Sequence, residues 1–319
     1  MPDSECRRPV GLHKIALAAL FTVGNTLIRF PWRVGGAEMP VLFLLFAAGT
    51  LIPAVLFYPL LRRLFRSALS RRRGRLLLSV ALSVLLGLYA LLAAAECMRD
   101  YLSFAFDTVL TGGAKWLLCL LFLGCAVWLC GVGDRGTDIF ALVGFVSVTV
   151  CVIALFLFGI PDYRPENLTF RLPDDPVSLL PVLLSLWRET LLPLVLLSAY
   201  FALVLPRRGE RALVIGTAAG CGILALCVLQ TLLTFGPALA ARYAYPYAWA
   251  VRIISVGPYF FRLEGFSYLP DYLACLTRSA LSLAVVRRLW GRFFPRKTRA
   301  VRPLLFISLS LILLILLYH

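Results

Sequence analysis

The chain has 319 residues, of which 61% are apolar and 15% charged, and its mean hydropathy is +0.89. Soluble domains carry about 45–50% apolar and about 25% charged residues, so a soluble enzyme with a single buried core and a disordered chain are both excluded. The net charge of +16 comes from 32 Lys+Arg against 16 Asp+Glu. Arginines cluster in short gaps between apolar runs, which fits orientation against a membrane and not nucleic-acid binding.

A membrane helix needs about 20 mainly apolar residues. Nine such segments follow in chain order, approximately 13–35, 40–61, 75–97, 113–132, 137–160, 178–205, 211–235, 263–288 and 303–318. They predict one all-α integral membrane domain over 1–319. Arg7, Arg8 and Lys14 precede the first run, but no A-x-A cleavage signal follows, so a retained span is expected. Of the 32 basic residues, 21 fall in the first tail and in every second connection, including Arg71–Arg73, Arg135, Arg207, Arg208, Arg287 and Arg288. The positive-inside rule then puts the N-terminus in the cytoplasm and, with nine spans, His319 outside.

The first span reads FTVGNTLIRFPWRVGG over 21–36. Gly24, Asn25 and Thr26 interrupt its apolar run, and Pro31 follows. Gly and Pro weaken a helix, and the freed backbone groups must be met by protein, water or ligand. A broken helix at mid-membrane is one way transporters build a binding site; a glycine at a helix crossing is the other reading. Arg29 and Arg33 fit snorkelling to the outer surface as well as function. Glu96, Arg99 and Asp100 are expected to cap the third span at that surface.

The outer loop 161–176 holds four prolines and the acids Asp162, Glu166, Asp174 and Asp175, and reads as a solvated turn region. Its Asn167-Leu168-Thr169 sequon is too short a motif to use. The sixth span carries Ser185, Arg188, Glu189 and Pro193. A carboxylate there either lines a polar cavity or pairs with Arg188. Residues 236–262 are aromatic, basic and broken by Pro237, Pro246 and Pro258, which predicts a short helix over the outer mouth. In the eighth span Glu264, Asp271 and Arg278 recur every seven residues. Heptad spacing drifts only ~20° per repeat, so the three share a stripe that faces the bundle, either as a cavity lining or as interhelical glue.

Catalytic signatures are missing from the sequence: H-E-x-x-H, G-x-S-x-G and the P-loop pattern do not occur. The two histidines, His13 and His319, stand at opposite ends, and the nine cysteines form no C-x-x-C pair. They read as small apolar packing residues. No enzyme, metal or cofactor is expected.

The chain resembles the spore germination receptor B-subunit family (GerAB type), a branch of the amino acid/polyamine/organocation transporter superfamily. The resemblance is carried by YPYAWAVRIISVGPYFFRLEGF over 245–266, with Pro246, Arg252, Ile253, Ser255, Gly257, Arg262 and Glu264 at the motif positions. Gly24 to Pro31, the Glu166-Asn167-Leu168 approach to the sixth span, and Glu189 also fit.

It implies a LeuT-like inverted-repeat fold of ten spans in two sets of five, of which this sequence lacks a clear tenth. Spans one and six then face each other across a central site, where Gly24, Asn25, Thr26, Ser185 and Glu189 are the candidate substrate-binding residues. Arg262, Glu264, Asp271 and Arg278 are the gating or ion-pair candidates. The expected ligand is a small nutrient, an amino acid. The expected partners are the lipid bilayer, a larger membrane subunit and a lipoprotein subunit of a germinant receptor, in the inner membrane of the spore. The rival readings are a proton- or cation-coupled amino acid permease and a subunit that only scaffolds an assembly.

Overall fold

A computed structural model describes residues 11–24, 26–30, 39–68, 76–108, 115–168, 180–204, 209–254 and 264–293. The expected span 303–318 lies outside them. The described chain is helical: α1 (Leu12–Val23), α2 (Met39–Ala68), α3 (Leu76–Thr108), α4 (Lys115–Val132), α5 (Asp134–Phe158), α6 (Leu180–Val204), α7 (Gly209–Ala240), α8 (Pro246–Ile253) and α9 (Glu264–Phe293). Among the described residues, five helices hold stretches long and apolar enough to cross a membrane, namely α3, α4, α5, α7 and α9. The apolar stretches of α1, α2 and α6 that are described are shorter.

The arrangement follows from which faces are apolar. In α5, Ile139, Val143, Val146, Val150, Ile153 and Leu157 are all exposed. Their alternating four- and three-residue spacing makes one continuous outward stripe, as a lipid-facing helix requires. α9 is the opposite case. Every residue from Ala274 to Val286 is buried, so it is enclosed by its neighbours α1, α3, α4 and α5. That enclosure explains how this helix can hold Asp271, Thr277, Arg278, Ser279 and Ser282, all buried, without touching lipid.

α1 packs on α5, α7 and α9. Its approach to α7 depends on two glycines one turn apart. A Cβ on Gly216 would lie 2.5 Å from the Ile15 carbonyl oxygen, and one on Gly220 would lie 2.7 Å from that of Ala19. Small residues at i and i+4 let the two backbones touch. α7 itself bends at Gly236 (φ 70°) and Pro237. Proline at 237 leaves the Leu233 carbonyl without its helical donor. The connecting segment meets it instead: Arg164 N–H donates at 3.0 Å and Asn167 Nδ2 at 3.1 Å. The sequon asparagine is thus a structural clamp.

α3 runs eleven residues beyond the expected end of its span, to Thr108. Glu96 and Asp100 therefore lie within the helix and not at its cap. Arg29 meets both, Glu96 at 3.6 Å and Asp100 through a direct contact of Nε with Oδ2. This arginine ties the turn segment after α1 to α3, and its charge lets α3 carry two carboxylates onward.

Candidate functional site

The site starts from the end of α1. Twelve residues make a helix of about 18 Å, which reaches only part of the way across a ~30 Å hydrocarbon core. Gly24 ends it with φ 33° and ψ −128°, a conformation that suits glycine. Its N–H still donates to the Leu20 carbonyl at 2.8 Å, and Thr26 N–H returns to that of Val23 at 2.9 Å. Residues 26–29 then run as turns. The hydroxyl protons of Thr22 and Thr26 go to the carbonyls of Ala18 and Thr22, both at 2.9 Å. The helix end is therefore opened but locally satisfied.

Two small, partly open cavities flank this break. The first lies under α8 and is lined by Leu27, Ile28, Phe104, Tyr245, Pro246, Tyr247, Ala248 and Asp271. The second lies between α1, α2 and α6 and is lined by Phe21, Thr22, Thr26, Thr50, Pro193, Leu194 and Arg278. Each cavity thus holds one ionisable side chain of α9. Asp271 is 2% exposed and Arg278 is 5% exposed. Seven residues of helix separate their Cα atoms by about 10 Å. Neither forms a salt bridge with any described residue, and among the described residues Asp271 Oδ1 and Arg278 Nε have no hydrogen-bond partner. Buried polar atoms normally have a partner, so two orphans facing two cavities point to groups held for something else.

The first cavity has an aromatic wall. Phe104 meets Tyr245 edge-on, with ring centroids 5.1 Å apart, and Tyr268 at 5.4 Å. α8 closes it from above and is fastened to the end of α3. Arg252 Nη2 donates to the Thr108 carbonyl at 2.6 Å and stacks over Trp249 with 4.6 Å to the ring centroid. The Tyr245 hydroxyl donates to Asp107 Oδ2 at 3.2 Å. Burial, then the Asp107 charge, pushes the Tyr245 phenol up to about 12, so it remains a donor. The expected short helix is therefore present, and the motif residues Pro246 and Arg252 build and anchor it.

The other sequence candidates distribute as follows. Gly24 and Thr26 stand at the break, while Asn25 and Arg262 lie outside the described residues. Ser185 and Glu189 are on α6 and Glu264 begins α9, with side chains outside the description. Glu189 is one turn before Pro193, and that proline removes the helical donor for the Glu189 carbonyl. Lys14 was expected in the cytoplasmic tail. It is instead 6% exposed inside the bundle, with Nζ 2.7 Å from Asp138 Oδ1 on α5. A lysine one turn ahead of an apolar run reads as an orienting charge, and its partner 124 residues away gives no local signal.

Known proteins agree with this architecture. The profile of the spore germination protein (spore permease) family matches residues 15–319. No curated protein matches. Among solved structures, a substrate-bound, outward-open Na⁺-coupled sialic acid symporter aligns with TM-score 0.57 at 14% identity, covering 98% of this chain and 73% of its own. MhsT in complex with L-phenylalanine aligns with TM-score 0.51 at 19% identity, covering 97% and 78%. At these identities the likeness is one of fold: a helical, LeuT-type transporter scaffold. With the family profile spanning all but its first residues, this chain belongs to the spore germination protein family.

Proposed function

We propose that this chain is the transporter-like subunit of a nutrient germinant receptor, oriented with its N-terminus in the cytoplasm of the spore. It binds a small nutrient, an amino acid, in the cavity under α8. The observation that carries this reading is the unpaired, buried Asp271 beside the α1 break. A ligand ammonium would neutralise that carboxylate and lie against the faces of Phe104 and Tyr245, a cation–π setting. One of the solved relatives holds a ligand of this class, L-phenylalanine.

Binding shifts a conformational equilibrium only by the ligand's differential affinity for the two states. Closure of α8 onto the ligand is the change that a larger membrane subunit and a lipoprotein subunit would read. Thermal unfolding of the purified chain in nanodiscs, against each common amino acid in turn, tests the reading. At least one should raise Tm in a saturable way, and Asp271→Asn should abolish the rise. A panel with no stabilising member removes the nutrient site.

The transporter scaffold also favours a second reading, a cation-coupled permease. Uptake of the stabilising amino acid into proteoliposomes separates the two: a receptor subunit binds without net flux.

A further inference from the structure

We propose that the Arg278 guanidinium is a built-in cation at the break of α1. It fills the place where a transporter of this architecture would otherwise hold an alkali metal ion, so the chain needs no Na⁺ or K⁺ there.

The argument begins with the end of α1. The last carbonyls of a helix carry a partial negative charge, about half an electron in sum. Where a membrane helix is interrupted, that end and the unwound carbonyls beyond it attract a cation. Here the cation is already covalently present. A Cβ added to Gly24 would lie 2.7 Å from Arg278 Cδ and 3.0 Å from Nη1, so the side chain passes directly against the break. The guanidinium carbon is 5.6 Å from the centroid of the Phe21 ring, in the last turn of α1.

The cavity around it is suited to a cation. Its polar lining consists of Thr22, Thr26 and Thr50 together with Arg278 itself. Each threonine donates its proton to its own helix, Thr50 to the Phe46 carbonyl at 2.6 Å. A hydroxyl that has spent its donor offers only lone pairs to what remains. Three such residues around one space favour a positive group. Asp271 belongs to the other cavity. With no salt bridge from a described residue, the groups at hand to compensate Arg278 are the dipole of the α1 end and the threonine oxygens, the same donor types that would hold a metal ion. A second cation entering this space would meet the guanidinium at close range and be repelled.

Gly24 fits the same account. Its positive φ permits the break, and its missing side chain gives the arginine its path.

This inference rests on the geometry of the break and not on the nutrient, so its test uses salts alone. The chain in nanodiscs is unfolded thermally in equal concentrations of NaCl, KCl or N-methyl-D-glucamine chloride. Wild type and Arg278→Lys should show the same Tm in all three. Arg278→Ala should melt lower in the organic salt, by about 5 °C, and regain at least half of the loss in NaCl or KCl. If Arg278→Ala fails to accumulate, Arg278→Gln, which keeps most of the length without the charge, should acquire the same alkali-cation dependence. A purely structural arginine would lower Tm without creating such a dependence. A selective rise of wild-type Tm in Na⁺ or K⁺, or charge-less variants that stay blind to both, would overturn the proposal. Neither outcome bears on whether an amino acid binds under α8.

Discussion

The end of the bundle that holds the start of α1 and its middle solve the same problem in opposite ways. At that end Lys14 meets Asp138 at 2.7 Å, His13 approaches the same carboxylate at 3.8 Å, and Arg288 contacts Asp134. Tyr200 sits between the pairs, with its ring 5.6 Å from Lys14 Nζ and 5.5 Å from the Arg288 guanidinium, and its hydroxyl 3.5 Å from Asp134. Three helices, α1, α5 and α9, are joined by these ion pairs, and Tyr200 of α6 packs between them. In the middle, Asp271 and Arg278 are buried as deeply, yet neither makes a salt bridge with a described residue. Matched charges close a structure; unmatched ones leave a demand that something else must meet. The comparison separates a structural seam from a working site within one bundle.

Breaking the seam should have the largest effect. Asp138→Ala leaves Lys14 in a site where it is 6% exposed with its main counter-charge gone. Removing one member of such a buried pair costs about 3–5 kcal/mol. Thermal unfolding should show a large drop and poor accumulation. The double change Lys14→Met with Asp138→Leu should recover most of it, since an apolar pair of similar volume is tolerated where a lone ion is not. A double variant as unstable as the single one would mean that the seam does more than neutralise.

Gly24→Ala comes next. It forces a side chain onto φ 33° and drives a methyl to within 2.7 Å of Arg278 Cδ. Backbone strain of this kind costs about 1–3 kcal/mol, and displacement of the arginine adds to it. The expected Tm loss should shrink in Arg278→Ala, because that background has no side chain to displace. Additive losses would place the two residues in separate accounts.

Some of this was legible in the sequence. The break could be read because Gly24 and Pro31 interrupt an apolar run, which propensity alone disfavours. Asp271 and Arg278 could be read because heptad spacing fixes a shared stripe without reference to other helices. The end of α3 was not legible. Glu96 and Asp100 lower the hydropathy just where the span was taken to stop, and their neutralisation by Arg29 is a contact between distant segments. Lys14 was misread for the same reason. Gly216 and Gly220 carry a small-xxx-small signal that could have placed α7 against α1. Local patterns report faces and breaks; they do not report partners far along the chain.

Asp271→Asn should change stability by less than about 1 kcal/mol, because it swaps an unpaired carboxylate for a neutral group of the same shape. Its effect should appear in ligand response instead, as full loss of amino-acid stabilisation. A large Tm drop in Asp271→Asn without ligand would return Asp271 to the structural class of Asp138.

The smallest effect belongs to the rim. The bond from the Tyr245 hydroxyl to Asp107 is exposed, and its loss in Tyr245→Phe should cost about 0.5–1 kcal/mol or less. Arg252 has a firmer hold, through the Thr108 carbonyl and the Trp249 ring, so Arg252→Ala should loosen α8 further. Arg242, in the turn before α8, has no such anchor described and serves as the reference substitution. Hydrogen exchange over 246–253 measures the difference directly, since local opening exposes amides without global unfolding. Exchange should rise slightly in Tyr245→Phe, clearly in Arg252→Ala and not in Arg242→Ala. If α8 is a lid whose closure reports ligand, a stabilising amino acid should slow that exchange in wild type and much less in Arg252→Ala. Equal protection in both would keep the helix as a fixed cap and move the reporting element elsewhere in the bundle.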